Sequence, residues 1–251
     1  MRPFLRCCTL LLALATLRPA AADIVNPVVR FTFWGNAAYS MDVELFQDAV
    51  PATVNNFLAY VESGAYANTI LHRSTTYFVP DPNQTLDDVG HVVQGGGFAK
   101  VFQLTGPEIT RIQPGAPIDL DAILPHIKGT IAMARAADPN SATNEWFFNT
   151  KDNPIYNGNY TVFGQITAGI EVLDLLASLG VYPTDLAEYT SPTTFQSVRF
   201  GEVPIAFAGE TPLLVTATSI AVVPEPSTLA LAVGGIGLVV AAARRKRSST
   251  R

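Results

Sequence analysis

The chain has 251 residues, 48% of them hydrophobic and 15% charged, and a formal net charge of −5; that is enough for one domain of ordinary size plus appendages. Removing the two basic ends, 1–22 and 244–251, leaves eight Lys and Arg against 21 Asp and Glu, a body near −13, and such a surface repels phosphate backbones and excludes nucleic acid as a partner. Cys7 and Cys8 are the only cysteines, and both fall in the first segment, so the body has no disulfide, thiol chemistry or cysteine metal site.

Residues 1–22 read as a signal peptide for a signal peptidase. Arg2 and Arg6 precede the apolar stretch Leu10–Leu17, and Ala20-Ala21-Ala22 offers a small-residue cleavage site. A first core helix is the alternative, but Arg18-Pro19 would break it. From 23 to 209 the sequence reads as one domain. Val28–Trp34 and Ser40–Phe46 are β-rich and flank Gly35-Asn36 as a hairpin. Pro51 opens a helix with Val54, Phe57, Leu58 and Val61 at helical spacing, ended by Ser63-Gly64. Short strand-like runs follow at Thr69–His72, Val92–Gln94, Gly129–Ala134, Trp146–Asn149 and Thr161–Ile166. A second helix is expected over Ala168–Leu179, with Ile170, Leu173, Leu176 and Leu179 on one face. Ser197–Ile205 reads as a closing strand. Many short strands, two helices and no βαβ rhythm predict a mainly β, closed antiparallel barrel.

Residues 210–223, rich in Thr, Ala and Val, read as a linker. Pro224-Glu225-Pro226, an apolar run over Leu229–Ala243 and the cluster Arg244–Arg247 follow. Fifteen apolar residues make a helix of about 22 Å, short for a hydrocarbon core of about 30 Å. The basic cluster would stay in the cytoplasm and leave the domain outside. This three-part order resembles the PEP-CTERM sorting signal of Gram-negative bacteria. The resemblance implies export, membrane attachment through the 224–251 tail before processing, and cutting by an exosortase near Pro-Glu-Pro. A plain membrane anchor is the alternative.

Three stretches carry the chemistry: Asn68–Arg73 with Tyr77-Phe78-Val79; Gln94-Gly95-Gly96-Gly97-Phe98; and Gly129–Arg135, continuing to Trp146–Asn149 and Tyr160–Gly164. Taken alone, an arginine at an apolar strand end is more often a structural ion pair than a catalyst, Phe147 and Phe163 are by default core, and the glycines a tight bend or bulge. In combination and in this order they resemble the bacterial cyclophilin-type peptidyl-prolyl cis/trans isomerases, over roughly residues 28–205. The resemblance implies an eight-stranded closed antiparallel barrel capped by two helices, acting on proline-containing polypeptides without a cofactor or metal. It implies that Arg73 is the catalytic arginine and that Gln94 holds it and contacts the substrate backbone. Phe78 and Phe147 would wall the proline pocket beside Val79, with Tyr156 and Tyr160 on its rim. Ala134 and Arg135 would bind the substrate main chain.

An X-Pro bond turns slowly, against a barrier of about 18–20 kcal/mol set by amide resonance. No bond breaks, so the enzyme needs only to favour the twisted amide, whose nitrogen gains lone-pair density. A fixed guanidinium aimed at that nitrogen does so.

Several residues depart from the pattern. Residues 80–92 are an insertion right after a pocket residue, expected as a flap or hairpin bulge. Asp81, Asn83, Thr85 and Asp87 faintly resemble a calcium loop, but Leu86 and Val92 stand where glycine and glutamate are needed, so a solvated polar loop is expected. Glu145 replaces the usual glutamine at the substrate groove and could pair with Arg73 or orient it. Ile155 replaces a large aromatic, and Trp146 a phenylalanine. Of His72, His91 and His126, His72 alternates to the face opposite Arg73 and is expected to pack or hydrogen-bond. Glu145 and the insertion motivate a second reading, a catalytically weak module that binds proline-containing surface or matrix proteins.

Overall fold

Alternation of apolar and polar residues drives the first two strands together. β1 (Val28–Phe33) buries Val29, Phe31 and Phe33, and β2 (Ser40–Leu45) buries Met41, Val43 and Leu45. They run antiparallel with Val29 opposite Val43 and Phe31 opposite Met41, so the apolar partners share one face. This is seen in a computed structural model, which describes residues 26–34, 36–75, 90–103, 106–121, 123–191, 194–208 and 211–224. The expected signal peptide, Phe78 and Val79, most of the 80–92 insertion, and the apolar run 229–243 lie outside the described residues.

Helix α1 (Pro51–Glu62) opens on proline, where a backbone N–H would have no helical partner. It buries Thr53, Val54, Phe57 and Val61 against the sheet. The chain continues through β3 (Thr69–Ile70), β4 (Arg73–Ser74), β5 (Val92–Gly95), β6 (Phe98–Gln103), β7 (Gly106–Arg111), β8 (Thr130–Met133), β9 (Trp146–Asn149) and β10 (Val162–Ala168). Helix α2 (Ile170–Ser178) follows, then β11 (Val181–Ser191), β12 (Thr194–Ala208), β13 (Thr211–Leu214) and β14 (Thr216–Val222). The inward face of α2 is Val172, Leu173, Leu176 and Ala177. Ile170, expected on that face, is the first helical residue and stands exposed. Among the described residues no helix is long and apolar enough to cross a membrane.

All the strands belong to one curled sheet in the order β13-β12-β11-β7-β6-β3-β14-β1-β2-β10-β8-β9-β5-β4. The expectation of a closed eight-stranded antiparallel barrel is corrected. The sheet is a mainly β half-barrel with fourteen described strands, open at β13 and β4, and β7 meets β11 in parallel. The extra strands come from the β6–β7 hairpin and from β11–β13, none of which the sequence reading resolved as strand pairs. Ser197–Ile205 is not the closing strand but part of the fifteen-residue β12.

The 210–223 linker is likewise overturned. Residues 216–222 form β14, between β1 and β3, with Val222 opposite Val29, Ile220 opposite Phe31 and Thr216 opposite Ile70. Val215 and Ala217 are fully buried there. The core is centred on Phe31, whose ring meets Trp146 and Phe148 edge-on at 5.3 and 5.2 Å. Trp146 is itself wholly buried.

Candidate active site

Sheet register builds the site. Arg73 lies opposite Gln94, Gln94 opposite Phe147, and Phe147 opposite Ala132. Directly opposed residues on neighbouring strands point to the same side, so this row runs along one face across four strands. Their neighbours alternate to the other face: Val93, Trp146 and Phe148 enter the main core, and His72 is 8% exposed. Gly96, between β5 and β6, has φ of +85° with the Asn144 carbonyl where a Cβ would stand, so glycine is required at this bend.

Arg73, Gln94 and Phe147 of this row form one wall of a cavity of about 110 Å³, which Val92, Ala134, Arg135, Tyr156 and Tyr160 also line. Seven residues expected at the site therefore come together, and Val92 joins them. Phe78 and Val79 lie outside the described residues. Glu145 does not line this cavity. It borders an adjoining hollow of about 340 Å³ with Gln94, Ala134, Arg135, Ala136, Ser141 and Thr143. The Tyr156 ring lies where a side chain on Gly90 would project. Burial pushes the Tyr156 phenol above its ordinary range, opposed by the nearby Arg73 charge.

The expected pairing of Glu145 with Arg73 is also corrected. Glu145 Oε2 accepts from Gln94 Nε2 at 2.6 Å and lies 3.4 Å from His72 Nε2. Burial raises the Glu145 carboxyl, but the His72 hydrogen bond and charge, then Gln94 and the Arg111 charge, outweigh it and hold it below the ordinary carboxylate range. The carboxylate on Arg73 is instead Glu202 from β12, whose Oε2 accepts from Arg73 Nε at 3.1 Å. Arg73 remains half-exposed. It thus makes the ion pair that residue type alone suggests and still borders the pocket.

Other partners define what each group can do. The Ala134 N–H donates to the Glu145 carbonyl at 2.8 Å. Arg135 donates through Nε to Asn159 O and through Nη1 to Ala136 O and Ala137 O, with its Cζ 4.9 Å from the Tyr160 ring centroid. Its side chain is thereby held against the groove by backbone carbonyls and the Tyr160 ring. Sequence reasoning missed His126 as a site residue. Its ring stacks on Phe147 at 5.9 Å and 12°, and meets Tyr156 and Tyr160 edge-on. Asn149 Nδ2 lies 3.2 Å from His126 Nδ1, so Nδ1 accepts and Nε2–H donates to the Tyr160 carbonyl, also at 3.2 Å. Burial lowers the His126 pKa, against the raising influence of its Tyr160 and Asn149 contacts, so the neutral ring holds the aromatic wall from behind.

An aromatic-walled slot with a half-exposed guanidinium at its edge thus lies on a curled β sheet packed by two helices. Residues 35–198 match the model of the cyclophilin type peptidyl-prolyl cis-trans isomerases. The chain belongs to this family. Peptidyl-prolyl cis-trans isomerase A of Dickeya dadantii is 31% identical over 175 residues, 67% of this chain and 80% of that protein. Peptidyl-prolyl cis-trans isomerase cyp18 of Streptomyces antibioticus is 38% identical over 144 residues, 53% and 75% of the two chains. Isomerase B of Escherichia coli is 34% identical over 142 residues, 53% and 74% of the two. A cyclophilin type isomerase of Cryptosporidium parvum superposes with a TM-score of 0.50 at 22% identity, covering 80% of this chain and 99% of that one, a likeness of fold. Residues 222–247 match the PEP-CTERM protein-sorting motif, which marks the chain for export and sorting.

Proposed function

We propose that the domain isomerises X-Pro bonds in exported polypeptides, and that Arg73 stabilises the twisted prolyl amide. The pyrrolidine ring sits against Phe147 with Val92, Tyr156 and Tyr160 around it. Val92 takes the part expected of Val79. Arg73 then faces the prolyl nitrogen as its lone pair develops, and loses solvent as the peptide covers it, which strengthens the interaction. Gln94 and the backbone at Ala134 and Arg135 hold one side of the peptide while the other turns. Glu145, in the adjoining hollow, fixes the Gln94 amide and meets residues preceding the proline. The observation that carries this reading is the cross-strand row of Arg73, Gln94 and Phe147 along one cavity.

The rest of the chain follows the same reading. Residues 1–22 are a signal peptide removed by signal peptidase, and the isomerase domain extends through β14. The tail holds the chain in the membrane through 229–243 until an exosortase acts near Pro224-Glu225-Pro226. The domain then works in the periplasm, at the outer surface or in the matrix of a Gram-negative bacterium.

An isomerisation assay on a proline tetrapeptide tests the activity. Purified 26–224 accelerates cis-to-trans conversion at catalytic concentration. Binding of the peptide with an uncatalysed rate instead favours the module that only captures proline-containing surface or matrix proteins.

A further inference from the structure

Glu202 has no counterpart in the pocket row. It lies past residue 198, where the family match ends, and 129 residues from Arg73 in the chain. Two features bring it to the site. The first is an irregularity in the β11–β12 ladder: Thr184 opposes Phe200 and Tyr182 opposes Val203, so Gly201 and Glu202 together face the single residue Pro183. Such a bulge re-aims the side chain it carries. It lets Phe200 and Val203, three residues apart, both enter the core, while Gly201 is exposed and Glu202 stands partly buried. The second feature is the anchor. The Phe200 ring meets Phe98 edge-on at 5.0 Å and His72 at 6.0 Å, which fastens β12 beside the residue preceding Arg73. The bulge then delivers the carboxylate to Arg73 Nε.

Nε is the inner nitrogen of the guanidinium. A carboxylate there restrains rotation of the side chain and leaves the terminal nitrogens Nη1 and Nη2 as donors for a peptide. We infer that Glu202 is a positioning residue for the isomerase reaction, holding Arg73 by Nε so that its terminal nitrogens address the proline pocket. A bound peptide meets a guanidinium already oriented. The β11–β12 hairpin is thereby part of the catalytic apparatus and not a surface appendage. This rests on the isomerase reading above.

A double-mutant cycle tests it, with kcat and KM for a proline tetrapeptide and the thermal midpoint recorded for every variant of 26–224. Glu202→Ala lowers kcat/KM about tenfold, equivalent to about 1.4 kcal/mol, with most of the loss in kcat. Glu202→Gln keeps an oxygen acceptor for Arg73 Nε and loses less, about threefold; it carries the test if the alanine variant fails to fold. In an Arg73→Ala background, removing Glu202 produces no further loss, because its effect passes through the arginine. Unchanged or increased kcat/KM in the Glu202 variants overturns the proposal, as does a loss of equal size in the Arg73→Ala background. Full activity of Arg73→Ala alone overturns the arginine mechanism itself, a failure distinct from that of Glu202.

Discussion

Cutting the chain after residue 209, where composition places the end of the domain, removes β13 and β14. Val215, Ala217 and Ile220 are then lost from the core, where they are 0%, 0% and 7% exposed. Burial of a Val or Ile side chain contributes about 1.5–3 kcal/mol, so these two alone account for roughly 3–6 kcal/mol. The cut also removes one of the two strands flanking each of β1 and β3, including the bonds from Trp34 N to Thr216 O and from Leu71 N to Val215 O, and exposes Phe31 and Phe33. The total stability of a domain is about 5–15 kcal/mol. The 26–209 fragment is therefore expected to lack a cooperative thermal transition, while 26–224 unfolds in a single step. Circular dichroism melting with urea titration of both chains makes the comparison. A 26–209 fragment melting within a few degrees of 26–224 would refute the assignment of β14 to the core. The same reasoning constrains tail processing. β14 ends at Val222, two residues before Pro224, so a cut at or after Pro-Glu-Pro leaves the sheet whole.

Phe147→Leu keeps an apolar side chain in the pocket wall but loses the ring that stacks on His126 and meets Tyr156 and Tyr160. It is expected to cost less than about 1.5 kcal/mol of stability and to weaken proline-peptide affinity about tenfold by titration calorimetry, a loss of roughly 1.4 kcal/mol. The His126 pKa is lowered by burial, so the unfolded chain takes up the proton first. Its contribution to stability is whole above the unfolded value of about 6.5 and is lost as pH falls through the folded value. Urea midpoints between pH 7.5 and 5 should fall in the parent and fall less in His126→Gln. Glu145, also lowered on folding, acts in a more acidic window, below about 4.3, where Glu145→Gln should flatten the fall in stability.

The cross-strand row was legible because its residues sit in contiguous motifs, and strand alternation assigns faces within each motif. Arg73 against His72, and Phe147 between Trp146 and Phe148, follow from a period of two. β14 was not legible. Its stretch, Thr216-Ala217-Thr218-Ser219-Ile220, is small and polar enough to read as a tether, and its burial comes from facing β1 rather than from its own hydrophobicity. Glu202 was hidden for a different reason. The Gly201-Glu202 bulge breaks the alternation that would have assigned its face, and its partner lies far away in the chain. His126 gave only a residue type. Its role depends on the tautomer set by Asn149 and on the stack behind Phe147. The β6–β7 hairpin escaped because Gly106-Pro107 begins β7 with residues that read as a turn.

Arg73→Ala in 26–224, assayed for isomerisation of a proline tetrapeptide and for peptide affinity by calorimetry, probes the arginine directly. Loss of one preorganised donor to a developing charge costs on the order of 10²–10³ in rate, and the account predicts such a fall in kcat/KM with peptide affinity changed only a few-fold. A variant that turns over the peptide at the parent rate, or whose whole loss lies in affinity, contradicts it.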